Sequence, residues 1–169
     1  MWLPPAVRTG AISLAVLVVV LGRPRSGTPD DCSPPKPELA VLRGKVVELG
    51  PYLSEKFQVP MDEDLGKASL VLVTQSGEVH PLIKDVRSRG FFMDKRLRDR
   101  DVELHVHKFP GLPFVRVIDV YSFKEGKKHK VDYWCTICSI ATFQPGPCPC
   151  CQDEIGLRER PVDESKAGQ

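Results

Sequence analysis

Apolar and polar positions alternate with a period of two through most of the middle of this chain. Residues 101–108 (DVELHVHK) set Val102, Leu104 and Val106 on one face and Glu103, His105 and His107 on the other. That period predicts a strand with one buried face. Residues 41–49 (VLRGKVVEL) are rich in β-branched side chains and stop at Gly50-Pro51. Residues 68–74 and 78–83 flank Gln75-Ser76-Gly77 and read as a hairpin, with Pro81 restricting the second arm to a short or edge piece. Residues 114–123 form a long strand whose alternation slips near Ile118-Asp119, the mark of a bulge or of cover on both faces. After a turn at residues 125–128, residues 130–134 climb as a last strand. Residues 51–66 read as a weakly patterned loop, and residues 85–100 as an insert with room for one helical turn or more.

Five or six short strands, interrupted after the third and without a regular helical stripe, predict a mainly β fold. The order of elements resembles an OB-like barrel, closed or half-closed, over residues 39–132; a β-sandwich is the alternative. Residues 156–169 read as a disordered, solvated tail.

The N-terminus carries a different signal. Arg8 precedes fourteen uncharged residues, 9–22, and Arg23 and Arg25 follow. A membrane-crossing helix needs about 20 apolar residues and an export signal about 7–15, so residues 1–27 are expected to act as a signal peptide, with a short membrane anchor as the alternative. Residues 28–38, proline-rich, read as a linker. Cys32 lies ten residues past Gly22, too far along for a lipid attachment site. Of 24 basic residues, Arg8, Arg23 and Arg25 belong to the leader. The remaining 21 face 22 acidic residues, a net charge of −1. The expected location is outside the cytosol, with no nucleic-acid partner, and with membrane contact only through an uncleaved leader.

Five of the six cysteines fall within residues 135–151. Cys135 and Cys138 form one C-x-x-C pair, and Cys148 and Cys151 a second, nine residues on. Each pair can place two thiolates on one ion from a tight turn, and four thiolates make a closed tetrahedral site for Zn2+. Tyr133 and Trp134, the pair spacing and the run Pro145-Gly146-Pro147-Cys148-Pro149-Cys150-Cys151 resemble zinc-ribbon and treble-clef modules, and the short heavy-metal-binding domain of exported metal-handling proteins. The resemblance covers residues 133–155 and implies a zinc ribbon there. Gln152-Asp153 stand where that heavy-metal family continues with Gly-Met, and Ser139 and Gln152 stand where knuckles often carry glycine. Export makes two disulfides among the same four cysteines the competing reading. Cys150 stands either as a spare thiol or as the fourth ligand in place of Cys151.

No nucleophile elbow, phosphate loop or metalloprotease helix occurs, so the expected role is a binding or structural module with a protein partner rather than an enzyme. Exported thiol-redox or heavy-metal chemistry at the cysteines is the alternative. Residues 84–101 hold seven basic and four acidic side chains around Phe91 and Phe92. Single-strand nucleic-acid binding there is a further alternative; two phenylalanines plugging the barrel is the expectation.

Overall fold

The computed structural model describes residues 36–162, so the leader, Cys32 and most of the linker lie outside the described residues. In chain order the elements are β1 (Glu38–Glu48), α1 (Leu49–Phe57), α2 (Glu63–Ala68), β2 (Leu70–Thr74), β3 (Val79–Pro81) and α3 (Arg89–Met93). A 3₁₀ turn follows at Lys95–Leu97. Then come β4 (Asp101–Lys108), β5 (Val115–Lys124), β6 (Lys127–Cys135), β7 (Ile140–Thr142), β8 (Gly146–Pro147) and β9 (Glu154–Pro161). The fold is mainly β, as expected.

Hydrogen-bonded neighbours run β3-β2-β1-β4-β5-β6-β9-β8, with β7 on β6. Every named pair is antiparallel. The path is an open sheet, but one parallel bridge joins Leu82, just past β3, to Val115 at the start of β5. There Ile83 N–H donates to the Val115 carbonyl at 2.9 Å. The first five strands thus pair around a ring, β1-β2-β3-β5-β4, joined at a single point between β3 and β5.

β1 belongs to both arms of this ring and has to curve. Its residues 38–45 pair with β4 and residues 44–48 with β2. Where the two pairings overlap stands Gly44, and a Cβ there would lie 2.0 Å from the Val73 carbonyl oxygen. Only glycine allows β2 this close an approach.

Val102, Leu104 and Val106 are buried, as the alternation requires, against Val46, Leu70, Leu72, Val115 and Val117. The slip in β5 is a bulge: His105 opposes Asp119 and Val106 opposes Val117, leaving Ile118 without a partner in register. Pro81 ends a strand of three residues. Phe91 is buried in the core and Phe92 packs part-buried against it, so the insert contributes core rather than an exposed aromatic face.

Two expectations are corrected. Residues 51–66 hold α1 and α2 rather than a loop. Gly50-Pro51 ends the strand and also opens a helix, since proline in a first turn has no N–H that the helix needs. The two helices meet at Gly50 and Gly66, where a Cβ on Gly50 would lie 2.6 Å from the Gly66 Cα. The second correction concerns the expected tail: its residues up to 161 belong to β9, paired with β6 from His129↔Pro161 to Trp134↔Gly156. Its charges are paired across the sheet, with Arg158 and Arg160 on Asp132, and Glu159 with Arg100 and Lys124.

Candidate metal centre

β6 runs out of the core directly into the cysteine cluster, because Cys135 is its last residue. The chain turns through residues 136–139 and returns as β7, with Cys135↔Ile140 as the closing pair. β8 and β9 make a second hairpin, with Pro147↔Glu154 flanking residues 148–153. Since β6 also pairs with β9, each C-x-x-C sits at the tip of a hairpin whose long arm is hydrogen-bonded to the long arm of the other.

The two turns have the same construction. Ser139 N–H donates to the Cys135 carbonyl at 2.9 Å, and Gln152 N–H to the Cys148 carbonyl at 2.9 Å. Ser139 has φ 54° and Gln152 φ 64°, so both occupy the left-handed region. These are the positions where glycine was expected to relax the turn. The conformation is present without the glycine, at a cost on the order of 1 kcal/mol for each residue. Cys138 N–H points at the Cys135 sulfur at 3.4 Å.

Four sulfurs converge. The Sγ atoms of Cys135, Cys138, Cys148 and Cys151 all lie within 4.8 Å of one another, and Cys135 Sγ is 3.5 Å from Cys151 Sγ. Sulfurs bound at about 2.3 Å around a tetrahedral ion stand roughly 3.8 Å apart, so this set fits one metal ion. Cys135 and Cys148 are fully buried, Cys138 and Cys151 half-buried. Cys150 is exposed and outside the set, so the geometry takes Cys151 as the fourth member.

Backbone N–H groups of Cys151 and Cys150 aimed at the Cys148 sulfur bring its thiol down to about 7. The thiols of Cys150 and Cys151 push that of Cys138 up. An ion entering the set would therefore displace protons, and its binding would strengthen with pH.

The strands that carry the cluster are anchored by buried acids. Tyr133 donates through its hydroxyl to Asp94 Oδ2 at 2.8 Å, and Arg96 grips the same carboxylate from Nε and Nη2. Gly90 of α3 lies under Tyr133 and the Phe143 carbonyl, where a Cβ would stand 3.0 Å from that oxygen. Asp132, buried, takes Arg158 on both oxygens and Arg160 on Oδ2, while Arg158 lies 3.6 Å from the Trp134 ring centroid. Along the chain Tyr133 and Trp134 are the aromatics ahead of the first C-x-x-C pair. Their acidic and cationic partners, Asp94 and Arg158, are distant along the chain and left no local signal.

His105 is half-buried on the outer face, 3.2 Å from Glu103 Oε1, with its ring tilted against that of Tyr121 at 4.7 Å between centroids. Among the described residues it joins no group of metal-ligating side chains, and neither does His107. No helix among the described residues is long and apolar enough to cross a membrane. No family model, curated protein or solved structure matches the chain.

Proposed function

We propose that the chain is an exported or membrane-tethered binding module, an OB-like β-barrel closed at its C-terminal end by a zinc ribbon, with Zn2+ held by Cys135, Cys138, Cys148 and Cys151. The observation that carries this reading is the duplicated turn, two C-x-x-C hairpin tips with matching hydrogen bonds that aim four sulfurs at one point. Disulfides would draw the sulfurs into two pairs, whereas here all four share one neighbourhood. Four thiolates leave no open coordination position, so the ion's role is structural: it closes β6, β7, β8 and β9 into one unit and holds the turn tips rigid for a partner. The ring of β1 to β5, with α3 between β3 and β4, supports the barrel part of the reading. The export part rests on residues 9–22.

Metal analysis with free-thiol counting, on protein isolated from its own compartment, tests the site. One zinc per chain is expected, lost on serine substitution at any of the four ligands and kept in Cys150→Ser. Metal-free protein with the four cysteines oxidised in pairs would overturn it. Fusing residues 1–37 to a reporter active only after export tests the location, and a silent reporter would refute it. The exposed thiol of Cys150 supports a second reading, thiol or heavy-metal chemistry at the ribbon tip. Heavy-metal uptake or thiol oxidation that Cys150→Ser abolishes would favour it, whereas loss of zinc in that variant would make Cys150 rather than Cys151 the fourth ligand.

A further inference from the structure

The outer face of the sheet, turned away from the core, carries cations that buried carboxylates hold in place. Glu103 on β4, with its side chain 4% exposed, accepts from Arg43 Nε at 2.6 Å and also binds Lys128. Asp132 on β6, 6% exposed, takes Arg158 and Arg160. The acids are sealed and the cations reach water: Arg43 is 58% exposed and Arg160 51%. Lys130 pairs with the part-exposed Asp119, and one further carboxylate, Glu125, is exposed in the β5–β6 turn. Beside these cations, at the β5–β6 turn, is a cleft of about 680 Å³ lined by Arg43, Phe123, Lys127 and Lys128 and by no carboxylate. From Arg43 on β1 across β4, β5 and β6 to Arg160 on β9 is four inter-strand spacings, about 19 Å.

The rings on this face are already covered. Arg43 lies over Phe123 at 5.0 Å, Lys128 over Tyr121 at 4.1 Å and Arg158 over Trp134 at 3.6 Å. A nucleic-acid strand binds such faces by stacking bases on open rings. Here the outermost layer is charge, prepositioned by buried acids and by the rings beneath, which lowers the ordering cost of binding an anion. An extended ligand with a charge on each unit and no need of stacking matches that layer.

We propose that this face, from the cleft at the β5–β6 turn across β6 and β9, binds a linear acidic polysaccharide built of uronate or sulfated sugars. The choice of glycan rests on the export reading above; the positive face itself does not depend on it.

The test is binding of the zinc-loaded full chain to two probes, a polygalacturonate oligosaccharide and a single-stranded dT oligomer, over a series of salt concentrations. The glycan should bind, more weakly as salt rises. The variant Lys127→Ala/Lys130→Ala/Arg160→Ala leaves Glu103 and Asp132 each with a cationic partner. It should keep its zinc and circular dichroism, lose affinity by about tenfold or more, and flatten the logarithmic salt dependence by roughly one unit for each cation removed. Lys127→Ala alone gives a smaller loss in the same direction should the triple variant not fold. Absence of glycan binding, unchanged affinity in the variants, or tighter binding of the dT oligomer would each overturn the proposal. One zinc per chain without glycan binding would overturn this inference and leave the proposed function standing. Glycan binding by a metal-free protein would do the reverse.

Discussion

The Tyr133 hydroxyl donates a 2.8 Å hydrogen bond to Asp94, joining the strand that ends in Cys135 to the insert between β3 and β4. The contact crosses 39 residues of chain and is buried at both ends. Arg96 is the main cause that holds the Asp94 pKa down at about 2; burial opposes it and Tyr133 adds to it. The carboxylate stays ionised at neutral pH, and the phenol, raised by burial and by Asp94, stays protonated. The strand that leads into the cysteine cluster is thereby docked on the insert between β3 and β4 by a charge-assisted hydrogen bond.

Tyr133→Phe keeps the ring packing and removes the donor. Asp94 then remains buried with Arg96 as its side-chain partner. The variant should lose about 1–2 kcal/mol of stability, the range for a hydrogen bond to a charged group. Urea unfolding with a circular dichroism readout measures this. An unchanged midpoint would mean that the contact does not dock β6 on the insert.

Acid should destabilise the domain through Asp94 and Glu103 together. Burial alone would raise the Glu103 pKa, but hydrogen bonds from Lys128, Arg43 and His105 outweigh it and hold the group at about 2. Both folded-state values lie below those of the unfolded chain, so both contributions are fully present above about pH 4.5 and are lost as pH falls towards 2. Each is worth on the order of 1–3 kcal/mol, discounted for the exposure of Arg43 and Arg96. Glu103→Gln should be less stable than the parent at pH 7, and the gap should close between pH 4.5 and 2. Denaturant midpoints across that range, compared between the two proteins, separate this effect from proton-driven metal loss, which both share. A gap that holds constant to pH 2 would refute the assignment.

These carboxylates mark the boundary of what was legible in the sequence. Val102, Leu104 and Val106 declared their face because one side of their strand is buried, and Ile118 declared its bulge because the alternation slips there. Spacing picked out the four cysteines whose sulfurs the structure brings together, but Cys150 was separated from them only by the turn, in which Gln152 N–H closes on the Cys148 carbonyl. β9 was hidden because Arg158, Glu159 and Arg160 look solvated along the chain. The partners that neutralise them, Asp132, Arg100 and Lys124, lie 26 to 59 residues away and leave no local pattern. α1 and α2 were hidden for a related reason: contact between Gly50 and Gly66 holds them, and no long apolar stripe announces them.

Gly44→Ala should be the most damaging single-methyl change in the described residues of β1. The added Cβ would meet the Val73 carbonyl oxygen at 2.0 Å, and backbone on a hydrogen-bonded strand cannot swing aside as a side-chain tip does. Either β2 separates from β1 or the pairing of residues 44–48 shifts, at a cost of about 3 kcal/mol or more, in the range of severe core strain. Thermal unfolding is the measurement. Glycine at Gly77, also replaced by alanine, meets open space but has φ 85°, and there the loss should stay near 1 kcal/mol. Similar melting of the two variants would show that close approach at Gly44 does not constrain β1.

Ser139 and Gln152 offer a test of the two metal turns from the backbone alone. Each holds a left-handed φ that glycine adopts without penalty, and each donates the N–H that closes its turn. Ser139→Gly and Gln152→Gly should therefore keep the hydrogen bonds and relieve strain, leaving stability unchanged or raised by up to about 1 kcal/mol. Ser139→Val brings a β-branched side chain to φ 54°, where Cβ crowds the backbone, and should cost about 1–2 kcal/mol. Because the turn and the ligand set are one structure, the valine change should also weaken metal retention by roughly tenfold, measured by competition with a zinc chelator. Glycine and valine at position 139 thus act in opposite directions on a cluster whose four sulfurs neither replaces. Equal metal retention in the two variants would mean that the left-handed turn does not shape the site.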